Sequence, residues 1–276
     1  MSDSNILKRI AHLSDVHMLG AASKARAQSF RVKFVSIGRT LDVEGRAQKL
    51  AGALRVAKTS GAEHFVISGD LTEVGAPDEF DTFAGVLQDA KISPDAVTLV
   101  PGNHDAYTAG GWRRAMEGPL AAFRGASATD PGKVVDRGNV AFLPLDLTYF
   151  QSVASSRGEF SAENARALEV RLADPGLKNK ALVIVQHHPP FGNPHNPWHW
   201  IDGLRGYGRL LEMLVKNPSV QLLHGHMHRI VDRIVGIGKK RAFGASAVVD
   251  DPPASPRVRL YDVRDGMLES VGLAAV

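Results

Sequence analysis

Apolar residues in this chain come in short runs, and five of those runs stop abruptly on a polar cluster. Ile6 to Ser14 ends in Asp15-x-His17, Phe65 to Ser68 in Gly69-Asp70, and Val97 to Val100 leads into Gly102-Asn103-His104-Asp105. Ala181 to Gln186 delivers His187-His188-Pro189, and Val220 to Leu223 leads into Gly225-His226-x-His228. Such runs read as buried strands, and the polar bursts place their carboxyl ends together at one edge of a sheet. Between them the apolar spacing turns helical. Arg46 to Thr59 carries Leu50, Leu54 and Ala57 and stops before Gly61, while Asp78 to Ala90 carries Phe80, Phe83 and Leu87 after Pro77. Ser161 to Leu172, with Ser161 as amino-terminal cap, and Tyr207 to Val215 are two more helices. After Arg229 the texture changes to Ile230 to Val235, Arg241 to Phe243, Val258 to Val263 and Leu268 to Val271, parted by Gly and Pro, and these predict strands. Mixed βαβ segments followed by an all-strand tail predict an α/β fold of two packed sheets flanked by helices.

The residues at the five strand ends form a metal inventory. Two aspartates, one asparagine and four histidines at these ends offer hard oxygen and imidazole nitrogen without thiolate, a set suited to zinc, manganese or iron, and the sequence alone does not choose between the adjacent His187 and His188. Seven donors are too many for one ion but suit two ions that share a carboxylate and so lie roughly 3.5–4 Å apart.

In order and spacing these blocks resemble the calcineurin-like metallophosphoesterase superfamily, in its bacterial phosphodiesterase-like branch, over about Ile10 to Arg229. The resemblance implies a four-layer αββα sandwich of two mixed sheets. It implies that Asp15, His17 and His228 hold the first metal, that Asn103, His187 and His226 hold the second, and that Asp70 bridges them. His104 matches the position that faces the substrate and Asp105 the one that orients it, so both are expected to be catalytic. The implied reaction is hydrolysis of a small phosphodiester by a metal-bridging hydroxide, with His104 stabilising charge or protonating the leaving oxygen. Two divalent or mixed-valence ions are the implied cofactors. A phosphomonoesterase, a nuclease and a non-catalytic scaffold on the same fold stay open as alternatives.

The six remaining histidines are His12, His64, His188, His195, His199 and His224. His12 is expected inside, His64 at a strand entrance, and His188 and His224 as hydrogen-bond partners behind the ligands.

Composition changes this picture little. The chain has 276 residues, 44% of them hydrophobic and 22% charged, which suits a globular protein with a sizeable core. The ligands span nearly the whole length and no linker separates them, so a single metallophosphoesterase domain over residues 1–276 is expected. The start MSDSNILKRI does not read as a signal peptide, and no run approaches about 18 apolar residues, so no membrane span and a cytoplasmic location are expected. Cysteine is absent, which excludes disulfides. The net charge of +4 suits an anionic substrate, but the basic residues are dispersed, so the expected partner is a small phosphate ester rather than nucleic acid. Oligomeric state is left open.

Three connections begin beside the predicted site. Residues 18–45 are long for a connection and carry Lys24, Arg26, Arg31, Lys33 and Arg39, with Arg46 just beyond, and they are expected to act as a lid-like insertion. Residues 106–118 hold Tyr107 and Trp112, and residues 191–208 hold Trp198, Trp200 and Arg205. Aromatics and cations there are expected to contact substrate, with Tyr107, Trp198, Trp200 and Arg205 as the candidates.

Overall fold

All five apolar runs form strands in the computed structural model, which describes residues 6–23, 36, 40–192, 199–250 and 257–274. Along the chain lie β1 (Arg9–Leu13), α1 (Val43–Thr59), β2 (His64–Ser68), α2 (Pro77–Asp89), β3 (Val97–Val100), α3 (Gly111–Glu117), β4 (Val135–Arg137) and β5 (Val140–Pro144). They are followed by β6 (Gly158–Glu159), α4 (Ala162–Leu172), β7 (Ala181–Val185), α5 (His199–Asp202), β8 (Leu204–Arg205) and α6 (Tyr207–Lys216). The tail holds β9 (Gln221–His224), β10 (Val231–Ile234), β11 (Lys240–Gly244), β12 (Val258–Arg264) and β13 (Met267–Ala274). The helices begin where their caps allow. Asp42 accepts from Gly45 N–H ahead of α1, and Ser161 accepts from Asn164 N–H ahead of α4.

Five strands form one sheet in the order β13-β12-β1-β2-β3, and six form a second in the order β10-β11-β9-β7-β5-β4, with β6 and β8 as a separate pair. β1, β2 and β3 run parallel, as do β5, β7, β9 and β11, so the carboxyl ends that carry the polar clusters emerge on the same side of each sheet. Alternation along each strand builds the layers. Ile10, Val66, Val100, Val183, Val185 and Leu223 share one cluster between the two sheets. Their neighbours Ala11, Leu13, Phe65 and Ile67 pack instead with Leu50 and Leu54 of α1 and Phe80 and Phe83 of α2. Leu182, Ile184 and Leu222 pack with Leu168 of α4 and Leu210 and Leu214 of α6. A strand buried on both faces must be apolar throughout, which is why these runs carry no polar alternation. The architecture is the four-layer αββα sandwich.

The expected helices and tail strands are present within a few residues at each end. The connection 106–118 differs, because it contains α3. Trp112 on that helix is a core side chain whose indole N–H donates to the Ala128 carbonyl at 2.8 Å, so it does not face substrate. Of the expected lid at 18–45, residues 24–35 and 37–39 lie outside the described residues, as do Trp198 and His195. Among the described residues, no helix is long and apolar enough to cross a membrane.

Candidate metal centre

The strand ends turn sharply. Asp15, His17, Asp70, His226 and His228 all take left-handed backbone, with φ between 49° and 69°. For residues other than glycine this costs of order 1–3 kcal/mol each, and it persists only where the surroundings enforce it. Here a lattice of hydrogen bonds between strand ends does so. Asp15 N–H donates to Gly69 O at 3.1 Å, His17 N–H to Asp70 O at 2.8 Å, and Gly225 N–H to His187 O at 3.0 Å. His104 N–H donates to Asp70 Oδ1 at 2.9 Å within the first sheet's strand ends, and His226 N–H donates to Asp15 Oδ2 at 3.1 Å, which ties the two sheets together. The motif glycines permit the approach. A Cβ on Gly69 would fall 2.6 Å from the His187 ring, one on Gly102 would fall 2.1 Å from Asp70 Oδ1, and one on Gly225 would fall 1.7 Å from Ser14 Oγ.

Donor atoms from five of the seven predicted ligands converge. Asp15, His17 and His228 form one group within 4.8 Å, and Asp15, Asp70 and His187 form another. A third joins His17 and Asp70 to His104, whose Nε2 lies 3.9 Å from Asp70 Oδ2. His226 stands beside them, its ring 5.2 Å from that of His187, while its Nε2 is held by Asp202. Asn103 is buried next to His104, with its Oδ1 making no hydrogen bond.

Electrostatics follow from burial. Burial alone would raise Asp15 and Asp70. Instead His228 holds the Asp15 carboxyl down at about 2, and His187 with His104 holds Asp70 well below the usual carboxylate range. Burial opposes charge on the two histidines as well. Asp70 and Asp15 nevertheless push His187 up to about 9, and Asp15 with Asp250 push His228 up to about 10. Each buried carboxylate thus faces an imidazole whose protonation it favours, and a divalent cation held by such groups would displace those protons.

A comparison with known families matches residues 8–229 to the model for calcineurin-like phosphoesterases. The chain belongs to that family. Among curated relatives of this phosphoesterase, the glycerophosphodiester phosphodiesterase GpdQ of Enterobacter lignolyticus is 24% identical over 223 residues, covering 80% of this chain and 71% of the relative. A Rhodococcus erythropolis protein named "Probable cyclic nucleotide phosphodiesterase" is 27% identical over 225 residues, covering 79% of this chain and 64% of the relative. Among solved structures, a dimetal phosphatase from Danio rerio superposes with a TM-score of 0.70 at 16% identity, covering 98% of this chain and 97% of that one. A purple acid phosphatase from yellow lupin superposes at 0.54 with 13% identity, covering 94% of this chain and 50% of that one. At such identities the solved structures speak for the fold.

The residues of this chain fit metal ions on their own evidence. Asn103 Oδ1 is a buried polar atom that makes no hydrogen bond, a costly state unless something else satisfies it, while Asp15 Oδ1 and His187 Nε2 have only long ion-pair contacts at 3.4 and 3.3 Å. His187 Nδ1–H donates to Ser68 O at 2.8 Å, which turns Nε2 towards Asp70 Oδ2 at 3.3 Å. His228 turns Nδ1 to the Asp250 carboxylate at 3.3 Å and Nε2 to Asp15 Oδ1 at 3.4 Å. His17 Nδ1 lies 3.5 Å from Glu73 Oε2, and Glu73 is itself held by Arg46 and by Ser36 at 2.6 Å. Outward partners of this kind fix ring orientation and raise ligand basicity. Sequence reasoning missed Glu73, Asp202 and Asp250 in this role.

Several expected roles change. Asp105 does not touch the His104 imidazole, whose Nδ1–H donates to the Glu73 carbonyl at 2.7 Å. The Asp105 carboxylate accepts from Leu71 N–H, Thr72 N–H, Thr72 Oγ–H and Gly102 N–H, so it braces the turns that carry Asp70 and Asn103. Burial and the Asp70 charge push that carboxyl up to about 7. Tyr107 is 2% exposed and bonded to Asn103 and Ser155, so it lies under the site instead of lining its mouth. Arg205 is exposed and pairs with Glu159 at 3.7 Å, and it is not among the convergent donor groups. Trp200 is 67% exposed on α5, two residues before Asp202. His12 is interior, with Nε2 2.8 Å from Ser68 Oγ, and His64 opens β2 and bonds Thr98. His188 and His224 bond the backbone carbonyls of Ser156 and Gly225, not a ligand side chain.

Proposed function

We propose that this calcineurin-like phosphoesterase hydrolyses small phosphodiesters with two metal ions. In this reading Asp15, His17 and His228 would hold the first, Asn103, His187 and His226 would hold the second, and Asp70 would be shared by both. The observation that carries it is the convergence of donor atoms of Asp15, His17, Asp70, His187 and His228 within overlapping groups, with the buried Asn103 Oδ1 making no hydrogen bond. The thiol-free donor set suits manganese, iron or zinc. When bound, such ions supply Lewis acidity to a phosphoryl oxygen and lower the pKa of water.

The chain's own groups do the rest. His104 is fixed by its Nδ1 bond to Glu73 O, which sets Nε2 on the cluster side. There it stabilises charge on the phosphate oxygens or passes a proton to the leaving oxygen. Asp105 acts indirectly, as a positioning residue, through the turns that it braces. Trp200, with Trp198 nearby in sequence, offers an apolar face for the organic arm of a diester. The diester preference is supported by the names of both curated relatives.

The test is a metal-loaded assay on bis-p-nitrophenyl phosphate, p-nitrophenyl phosphate and a labelled oligonucleotide, with metal analysis of the same sample. Two ions per chain and faster turnover of the small diester are expected. One ion or none in a fully active sample rejects the binuclear reading, and faster oligonucleotide cleavage makes the protein a nuclease.

A further inference from the structure

The ligands assigned to the two metal positions are supported from behind by different parts of the molecule. His17 and His228 lean on Glu73 and Asp250. Asn103 and His226 come from different sheets, yet both lead to one short turn. Asn103 Nδ2–H donates to Tyr107 Oη at 3.1 Å, and Tyr107 Oη–H donates to Ser155 O at 3.2 Å. On the other side, His226 Nε2–H meets Asp202 Oδ1 at 2.8 Å and Asp202 O at 2.9 Å. Ser156 Oγ–H donates to the same Asp202 Oδ1 at 2.6 Å, and Ser156 N–H to Ile201 O at 2.9 Å. His188 Nε2–H closes the arrangement on Ser156 O at 2.8 Å.

We propose that the Ser155–Ser156 turn, acting through Tyr107 and Asp202, positions the ligands of the second metal and sets its affinity independently of the first. The inference rests on the binuclear reading above. Each link has a chemical task. An asparagine is a neutral ligand through its carbonyl oxygen alone, and a flipped amide presents NH2 instead. The bond from Nδ2 to Tyr107 decides that choice and leaves Oδ1 as the buried atom without a hydrogen bond. For His226, the Asp202 carboxylate accepts a hydrogen bond from Nε2–H, which keeps the proton on Nε2 and the lone pair on Nδ1. Both links end on a turn outside the two main sheets, so a shift of Ser155–Ser156 alters two ligands together.

The experiment titrates Zn2+ or Mn2+ into the whole metal-free protein by calorimetry. Tyr107→Phe keeps the buried ring and removes only the hydroxyl, and Asp202→Ala removes the carboxylate. Each is expected to weaken one of the two binding events by about 10–100-fold, the usual effect of losing such a partner, and to leave the other unchanged. Asp202→Asn, which keeps an acceptor oxygen, should recover part of the loss. The site is identified by background. In His228→Ala, where the second position is left, Tyr107→Phe should weaken the remaining event, and in His226→Ala it should change nothing. Two ions in the wild type with equal weakening of both events, or of neither, overturns this inference alone. A wild type that binds fewer than two ions overturns it together with the binuclear reading.

Discussion

His104 and His228 lie within a few ångströms of the same carboxylates, yet removing them should have different effects. His228 Nε2 stands 3.4 Å from Asp15 Oδ1 within a ligand group, so His228→Ala should lower metal occupancy. His104→Ala should leave metal content nearly intact and lower turnover about 10²–10⁴-fold, the usual value of a proton donor or charge stabiliser. Equal metal loss in both variants, read by elemental analysis, would move His104 among the ligands. Asp70→Ala should cost both ions, because its carboxylate faces His17, His104 and His187 together. A different test concerns His64, far along its strand from the ligands. Burial holds its pKa down at about 3, stacked on Phe142 and bonded to Thr98. Its folded pKa is below the unfolded one near 6.5, so the unfolded chain binds the extra proton, and stability present above pH 6.5 is lost as pH falls towards 3. Each unit of pH inside that window costs about 1.4 kcal/mol for one such group. His64→Gln should flatten the fall in unfolding free energy between pH 6.5 and 5, measured by denaturant melts in excess chelator, and an unchanged slope would show that His64 is not the group responsible. The seven candidate ligand positions stand out because each lies at or just beyond the end of an apolar run, three of them (Asp70, Asn103 and His226) directly after a glycine that gives room. Glu73, Asp202 and Asp250 were not, since a carboxylate that supports a histidine from behind follows no spacing rule and looks like any loop acid.

At the scale of elements, the motif glycines make the sharpest prediction. Gly225 ends the turn after β9, where a Cβ would lie 1.7 Å from Ser14 Oγ and 2.9 Å from Asp15 Oδ2. Gly225→Ala must therefore push β1 and β9 apart at the point where they deliver Asp15 and His226, at an overpacking cost of about 1–3 kcal/mol. Gly208, inside α6, faces open space. Gly208→Ala should stabilise by about 0.4–1 kcal/mol through the unfolded chain. Thermal melts in chelator should move in opposite directions for the two, and only Gly225→Ala should lose metal. A neutral Gly225→Ala would mean that the strand ends are looser than their hydrogen bonds imply. Helices α1, α2, α4 and α6 were readable because each shows an apolar stripe, and three of them a cap or an initial proline. α3 was read as loop because Gly110-Gly111 opens it, and Gly110 takes left-handed backbone at φ 65°. β5 was missed for the opposite reason. Its apolar run, Val140 to Leu145, leads into a lone Asp146 and not into a cluster of donor residues.

For the whole molecule, the open chemical question is which phosphate ester the site prefers. A monoester dianion carries one more charge than a diester anion, and a site built for it surrounds the phosphate with arginines that form paired hydrogen bonds. The described residues offer little of that. Arg46 is buried and committed to His17 O and Glu73, while Arg205 pairs with Glu159. A diester brings a second organic arm instead, and exposed Trp200 stands on the helix that also carries Asp202. The countervailing feature is the basic stretch Lys24, Arg26, Arg31, Lys33 and Arg39, which follows the first ligand block and lies outside the described residues. The expected outcome is a specific constant kcat/KM for bis-p-nitrophenyl phosphate at least about tenfold above that for p-nitrophenyl phosphate, a difference of about 1.4 kcal/mol in transition-state binding. Trp200→Ala should reduce the diester value more than the monoester value, since only the diester has an arm to lose contact. If the monoester is preferred over every diester tried, and Arg26→Ala or Arg31→Ala abolishes that preference, the basic stretch supplies the missing clamp and the protein is a phosphomonoesterase.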